Sequence, residues 1–204
     1  MDDKASRQRA QWHFLFFDHA ILRTIWHNFA EVAPGVFRAN HPSPKRLAYY
    51  VRNGISTIVN LRGPSDAPHY LLELDACRKL GLTLLDVPGL TARDAPSREA
   101  LIGVLDALRS APKPLLLHCK SGADRSSLAA AVYLLAECGA TIDEARIQFS
   151  PKFIHFKWTK TGVLDKILDT FEAEHSKTGI SFEDWLRSAY DGPKIQANFD
   201  ASRR

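Results

Sequence analysis

The chain has 204 residues, of which 45% are hydrophobic and 25% are charged, as expected for one folded domain of ordinary size. Its formal net charge of +4 favours anionic ligands but falls short of the dense basic surface of a nucleic-acid-binding domain, so we expect no nucleic-acid partner. Its three cysteines, Cys77, Cys119 and Cys138, lie far apart and predict a reducing, cytoplasmic location rather than a disulfide framework.

The first thirty residues are rich in aromatic side chains and are predicted to contain a helix that begins near Asp18. Asp18, His19 and Arg23 interrupt the apolar run, which is too short for a transmembrane helix and lacks the pattern of a signal peptide. Two interpretations stay open, because the apolar stripe either packs on the main domain or docks on a membrane surface or a partner. The stripe consists of Ile21, Leu22, Ile25, Trp26 and Phe29.

Strands and helices alternate through the middle of the chain. A short strand is predicted in "APGVFRAN", and apolar strands are predicted in "ISTIVNL", "LTLLDVP" and "KPLLLHC". Helices are predicted in "SPKRLAYYVRNG", "PHYLLELDACRKLG", "PSREALIGVLDALRSA" and "RSSLAAAVYLLAECG", with Ser43 and Ser97 as N-caps of the first and third. A strand is followed by a helix three times, which predicts parallel strands with helices packed on the faces of the sheet.

The C-terminal third shows only helical patterns, in "TIDEARIQF", "TGVLDKILDTFEAEH" and "SFEDWLRSAY", with Thr141 and Ser181 as caps. The connector "PKFIHFKWTK" interleaves basic and aromatic residues; it is either a partly packed connector or a contact for RNA or a membrane. The sequence therefore predicts an α/β fold with a central, mainly parallel sheet flanked by helices, a helical C-terminal part and an N-terminal helix. We expect an N-terminal extension over residues 1–30, one domain over 31–191 and a loosely held tail over 192–204.

The stretch "LLLHCKSGADRSS" joins a buried strand, a short turn and the start of a helix. Such a loop directs backbone N–H groups into one concave spot ahead of a helix N-terminus, which suits a tetrahedral oxyanion. Gly122 permits a conformation that a side chain would obstruct, and Arg125 adds a planar cation that can grip two phosphate oxygens. Cys119 would lie at the bottom of this positively charged pocket, where a thiolate is stabilised. The alternative interpretation is a buried structural cysteine beside a helix-start arginine.

His118, Cys119, Gly122, Arg125 and Ser126 match the pattern H-C-x-x-G-x-x-R-S. This stretch resembles the signature of the cysteine-dependent protein tyrosine and dual-specificity phosphatase superfamily. The upstream "GISTIVNLRG" is similar to the strand and loop of the smaller, atypical dual-specificity members, including bacterial ones. The resemblance covers residues 31 to 139 approximately and implies a phosphatase-like fold.

The resemblance also implies roles for the matching residues. Cys119 would attack phosphorus and form a phosphocysteine, and Ser126 would hydrogen-bond the sulfur, although capping of the helix is its alternative role. His118 would orient the loop without touching substrate. No metal or other cofactor is implied. The residues expected to bind the phosphoryl oxygens are Lys120, Ser121, Gly122, Ala123, Asp124 and Arg125.

The general acid that protonates the leaving oxygen has two main candidates. Asp94, in "LTARDAPS", has the place common in the superfamily, on a separate loop before the cysteine. Asp124 directly precedes Arg125, an arrangement similar to that of myotubularin-type lipid phosphatases and certain bacterial phosphatases. Asp86 is a third carboxyl, predicted to lie within a strand. Arg62 ends another strand at the same edge of the sheet, where it either helps hold an anionic substrate or is solvated.

The leading interpretation is therefore a phosphomonoester phosphatase that acts on phosphorylated proteins, with preference for phosphotyrosine. A first alternative changes the substrate to a phosphoinositide, an inositol phosphate or a 5′-phosphorylated RNA end. A second alternative is a catalytically dead phosphate-binding module, which the intact Cys119, Gly122 and Arg125 disfavour.

Overall fold

A five-stranded sheet with helices on both faces organises the computed structural model, which describes residues 26–203. The strands are β1 (Ala30–Ala33), β2 (Val36–Ala39), β3 (Thr57–Asn60), β4 (Thr83–Asp86) and β5 (Leu115–His118). The α-helices are α1 (Pro44–Arg52), α2 (Pro68–Leu80), α3 (Arg98–Ser110), α4 (Asp124–Glu137), α5 (Ile142–Arg146), α6 (Val163–Thr178), α7 (Phe182–Ser188) and α8 (Gly192–Ala201). Two short 3-10 helices cover Pro151–Phe153 and Lys160–Gly162.

The sheet has the order β1-β2-β5-β3-β4, and only the pair of β1 with β2 is antiparallel. This arrangement confirms the predicted α/β fold with a mainly parallel sheet. Strand β5 is central and fully buried. In the register of the sheet, His118 at its end pairs with both Ala39 of β2 and Asn60 of β3. The residues after His118 therefore emerge at the carboxyl edge of the sheet between two neighbouring strand ends.

Side chains of β5 alternate between the two faces of the sheet. Leu115 and Leu117 join the larger hydrophobic cluster, which includes residues of α3, α4 and the C-terminal helices. Leu116 joins a smaller cluster with residues of α1 and α2. Because both faces of β5 are covered by apolar side chains, the strand that leads into the loop at Cys119 is rigidly held.

The predicted helix caps are confirmed at four helices. Ser43, Ser97, Thr141 and Ser181 each accept a hydrogen bond from the backbone N–H three residues further on. At Thr141 the cap is reciprocal, because the Glu144 carboxylate also accepts from the Thr141 backbone N–H. These caps fix where the helices begin, and so where the connecting loops end.

The prediction of a loosely held tail over residues 192–204 is wrong for residues 192–201. These residues form α8, which Asp191 caps, and its Ile195 and Phe199 belong to the larger hydrophobic cluster. The end of the predicted N-terminal helix, residues 26–29, is described and is not helical, and Phe29 there stacks on Phe37 and Tyr50. The rest of that helix lies outside the described residues, so its packing or membrane contact stays a prediction, as does the division of the chain at residues 30 and 191. In the part of the chain that the structure describes, no helix has the length and apolar character needed to cross a membrane.

The C-terminal helices hold the loop between β4 and α3. The Tyr190 hydroxyl donates to the Pro96 carbonyl oxygen at 2.7 Å, and the Ala95 backbone N–H donates to Gln196 Oε1 at 2.8 Å. Gly192 packs so closely against this loop that an added Cβ would lie 2.4 Å from the Pro96 oxygen. The C-terminal part is therefore a support for the loop that carries Asp94.

We expect two glycine-to-alanine changes to have opposite effects on stability. Gly192→Ala should destabilise the fold by about 1–3 kcal/mol, because the new methyl group overlaps backbone that cannot move freely. Gly103→Ala, in the middle of α3 with open space around it, should stabilise by about 0.5–1 kcal/mol through helix propensity. Denaturant unfolding measures the free energy of unfolding of both variants. An unchanged free energy of unfolding in Gly192→Ala would contradict the described contact between α8 and the loop.

Candidate active site

The loop from Cys119 to Arg125, called the Cys119 loop below, joins the end of β5 to the first turn of α4. The Cys119 side chain is buried, with 2% of the residue exposed. Gly122 has φ of +72°, and an added Cβ there would lie 2.7 Å from the Asn40 backbone nitrogen. A residue with a side chain would be both strained and sterically blocked, so glycine lets the loop pass directly against the end of β2.

Neighbouring segments hold the carbonyl groups of the Cys119 loop. The His41 backbone N–H donates to the Lys120 carbonyl oxygen at 3.2 Å. The Asn28 side-chain amide donates to the Ser121 and Phe153 carbonyl oxygens at 2.8 and 3.0 Å. Because these carbonyls are held from outside the loop, the loop is tied on two sides before any ligand binds.

The guanidinium of Arg38 lies beneath the same loop and is fully buried. It donates to the Gly122 carbonyl oxygen at 2.5 Å, to Ser127 Oγ at 2.8 Å and to Gln148 Oε1 at 2.7 Å. Its carbon Cζ lies 3.9 Å from the centre of the Phe153 ring, a cation–π distance. Arg38 therefore joins β2, the loop, α4 and the segment after α5.

Burial lowers the pKa of Arg38 to about 10, against the opposing influence of the Cys119 and Asp124 charges. The group stays a cation at neutral pH and places a positive charge below Cys119. The sequence analysis missed Arg38, although a charged residue inside the predicted strand "APGVFRAN" is the signal that would have marked it.

A buried polar group lies beside Cys119 on the α2 side. His118 Nε2 is 2.7 Å from Glu73 Oε1, and His118 Nδ1 is 3.2 Å from the Cys119 carbonyl oxygen. His41, Glu73 and His118 bring ligand atoms within 4.8 Å of one another, which is the composition of a metal site. Arg62 Nη1, however, is 3.4 Å from His41 Nδ1, and a guanidinium so near disfavours a bound cation. We assign the group to polar support of the loop.

Arg125 and Ser126 follow the loop into α4. Arg125 is half-buried, and its Nη1 donates to the Leu61 carbonyl oxygen at 3.4 Å, beside the end of β3. Ser126 is fully buried, and its Oγ has no hydrogen-bond partner among the described residues. The Ser126 hydroxyl therefore does not cap α4 by accepting from its backbone, and it remains available to a group bound at the Cys119 loop.

The two carboxyls before the Cys119 loop have different surroundings. Asp94 is exposed on the loop between β4 and α3, where its Oδ2 accepts from Thr91 Oγ1 at 3.2 Å. Asp86 is the last residue of β4, as predicted, and both of its oxygens accept hydrogen bonds, from Asn60 Nδ2 at 2.8 Å and Tyr70 Oη at 2.6 Å. Asp86 is therefore engaged within the fold, whereas Asp94 faces solvent.

Asp124, the carboxyl within the loop, contacts a histidine that the sequence analysis did not select. Asp124 Oδ1 is 2.8 Å from Nδ1 of His155, and His155 Nε2 is 2.7 Å from Oδ2 of Asp165. His155 comes from the connector "PKFIHFKWTK", where burial alternates: Phe153 and His155 are buried, and Trp158 is 71% exposed. The sequence signal was weak, since 31 residues separate His155 from Asp124.

Comparison with known proteins indicates the family and the fold of this chain. A family model described as a DSP-PTPase phosphatase fused to NAD+ kinase matches residues 28–153, more than half of the chain. A search of curated proteins gives no match. Among solved structures, TpbA of P. aeruginosa has a TM-score of 0.56 at 19% identity, over 85% of this chain and 91% of TpbA.

Two further solved structures are similar. A putative phosphatase from Shewanella putrefaciens has a TM-score of 0.56 at 17% identity, over 76% of this chain and 97% of its own. The catalytic core of the S. cerevisiae PP-IP phosphatase SIW14 has a TM-score of 0.54 at 20% identity, over 74% of this chain and 93% of its own. At these identities the likeness shows the fold, and the family model shows the family. The chain therefore belongs to the DSP-PTPase family of atypical cysteine-dependent dual-specificity phosphatases, and it is a phosphatase.

Proposed function

We propose that this phosphatase hydrolyses phosphate monoesters through a phosphocysteine intermediate on Cys119. The observation that carries the proposal is the position of Cys119, which is buried directly after the central strand, near the Arg38 guanidinium and in the short loop that leads into the N-terminus of α4. The first N–H groups of a helix lack intrahelical partners and attract anions. A thiolate at this point lies where a bound phosphoryl group would be held.

The reaction has two steps. The Cys119 thiolate attacks phosphorus, the bond to the leaving oxygen breaks, and that oxygen takes a proton from a general acid. Water then attacks the phosphocysteine, which releases phosphate and restores the thiolate. Arg125 and the backbone N–H groups of the loop bind the phosphoryl oxygens in both transition states. The Ser126 hydroxyl, which has no other partner among the described residues, donates to the departing sulfur in the second step.

The general acid is one of two carboxyls, Asp94 and Asp124. Asp94 is exposed on a separate loop that the C-terminal helices hold in place. Asp124 is already engaged by His155. We favour Asp94, because a solvent-facing carboxyl can be protonated again after each turnover without breaking a buried hydrogen bond.

We propose phosphorylated protein, of the phosphotyrosine type, as the substrate class. Cys119 exposes only 2% of its surface, so the phosphoryl group must reach down to the thiol. The long ring of phosphotyrosine spans such a depth better than the short arm of phosphoserine. A TpbA variant with serine in place of a cysteine was solved in complex with phosphotyrosine, which supports this class. The similarity to SIW14, which is described as a PP-IP phosphatase, keeps a small phosphorylated molecule such as an inositol phosphate as the second candidate.

Replacing Cys119 by serine should abolish turnover while leaving the fold intact. Cys119→Ser should lower kcat on a phosphotyrosine peptide by about 10³-fold or more, because the hydroxyl keeps the shape but not the nucleophile. The exposed Cys138 supplies the matched control, and Cys138→Ser should retain the wild-type rate. The wild type should also turn over the phosphotyrosine peptide faster than the phosphoserine peptide of the same sequence. Appreciable activity in Cys119→Ser would exclude the cysteine mechanism.

Arg38 gives a second test, because its role is to hold the loop and not to touch substrate. Arg38→Met should destabilise the fold by about 3 kcal/mol, since it leaves buried acceptors without a donor. Inorganic phosphate should also inhibit the variant less strongly than the wild type. Arg52→Met, at an exposed position in the last turn of α1, should stay within about 0.5 kcal/mol of the wild type. Equal unfolding free energies and equal inhibition for the two variants would refute this role.

A further inference from the structure

The connector that carries His155 begins beside the Cys119 loop, and His155 itself lies two residues beyond the range that the family model matches, 28–153. Its first contact with the loop is indirect, through Asn28, which donates to both Ser121 and Phe153. The next residue, Ile154, has φ of 61°, a conformation that β-branched residues rarely adopt. Ile154 is exposed, and His155 after it is 1% exposed. The turn thus brings one polar side chain of the connector into the interior.

His155 lies between two carboxylates. Its Nδ1 is 2.8 Å from Asp124 Oδ1 of α4, and its Nε2 is 2.7 Å from Asp165 Oδ2 of α6. The ring of Phe149 packs against the imidazole at a centroid distance of 5.1 Å. An ionised carboxylate only accepts hydrogen bonds, so both ring nitrogens must carry protons for both contacts to form. With both carboxyl groups ionised, the geometry therefore requires the imidazolium.

The charge of His155 is consistent with this geometry. Burial alone would lower the pKa of His155, but the hydrogen bonds and charges of Asp124 and Asp165 prevail and raise it from 6.5 to about 9. These two carboxylates are the titratable groups that contact the ring. The imidazolium therefore persists at neutral pH and is lost as the pH rises through about 9.

The alternation of charge continues toward the loop. The Asp124 charge acts on the buried Arg38 guanidinium, which in turn donates to the Gly122 carbonyl oxygen within the loop. Asp165, His155, Asp124 and Arg38 thus form a series of alternating charges that runs from α6 to the underside of the Cys119 loop. His155 therefore contacts the Cys119 loop directly, through Asp124, which is itself one of the residues of the loop.

We propose that His155 is a positioning residue that holds Asp124 as a hydrogen-bonded carboxylate and anchors the Cys119 loop to α6. A carboxylate that accepts from an imidazolium has no proton to donate near neutral pH. Asp124 accordingly shapes the loop, and the leaving oxygen takes its proton from Asp94. The activity readout below rests on the proposed function, whereas the spectroscopic readout does not.

Nitrogen-15 NMR of the imidazole rings tests the charge of His155 without using catalysis. In the wild-type protein the His155 signal, identified by its loss in His155→Gln, should stay that of an imidazolium until the pH approaches about 9. Asp165→Asn should lower this titration midpoint. Asp169→Asn, one helical turn further along α6 and paired with Arg146, should leave it unchanged. A wild-type His155 that titrates at its ordinary value, or that ignores Asp165→Asn, would overturn the proposal.

Kinetics on aryl phosphates with good and poor leaving groups test the role of His155 and Asp124. His155→Gln and Asp124→Asn should each lower kcat roughly tenfold and to the same extent on both substrates, because both variants misplace the loop. The double variant should fall no further, since both changes break one contact. Above about pH 9 the kcat of the wild type should fall to that of His155→Gln, because the wild-type imidazole is then neutral.

Several kinetic results would overturn the proposal. One is a loss in Asp124→Asn that is larger for the poor leaving group, which would make Asp124 the acid. Another is an unchanged rate in His155→Gln. If His155→Gln unfolds, Asp165→Asn takes its place, because this variant retains the imidazole and its contact with Asp124. Asp169→Asn is then the control in the same assay. Wild-type protein without activity on either substrate would refute the proposed function and leave the NMR result as the test of the charged pair.

Discussion

The active site depends on one buried cation, the guanidinium of Arg38, which holds the Cys119 loop from beneath. Burying an arginine is unfavourable unless its donors find acceptors, and the two terminal nitrogens of Arg38 find them in the Gly122 carbonyl, Ser127 and Gln148. Each of these acceptors belongs to an element that must be in place for the loop to form. Correct folding of β2, α4 and the segment after α5 is therefore a condition for a formed phosphate-binding site.

The proposed mechanism needs a thiolate and a bound phosphate dianion in one site, and the same cation would stabilise both. Arg38 lies below the loop and Arg125 beside it, so positive charge faces Cys119 and the phosphoryl group from two directions. The Asp124 carboxylate, which His155 links to Asp165, places negative charge near Arg38. The negative charge of Asp124 thus offsets part of the buried positive charge of Arg38, while a hydrogen bond to His155 holds the Asp124 carboxylate away from the substrate.

Local patterns predicted much of this structure, and contacts between distant residues account for what they missed. The strand, turn and helix around Cys119 are consecutive, and capping serines such as Ser97 act within three residues, so both were visible in the sequence. Arg38 and His155 were missed because their partners lie 84 and 31 residues away. Helix α8 was missed because its Gly-Pro start is typical of a loop, although Asp191 caps it and Phe199 is buried.

If Cys119 carries the phosphoryl group during turnover, the phosphocysteine can be trapped and located in the chain. Wild-type protein is mixed with an aryl phosphate, quenched in acid within one turnover, digested and examined by mass spectrometry. The account predicts a mass gain of one phosphoryl group on the peptide that contains Cys119. It also predicts that the modification is absent from Cys119→Ser and from the peptides that contain Cys77 and Cys138. Full turnover with the phosphoryl group on another residue, or on none, would contradict the account.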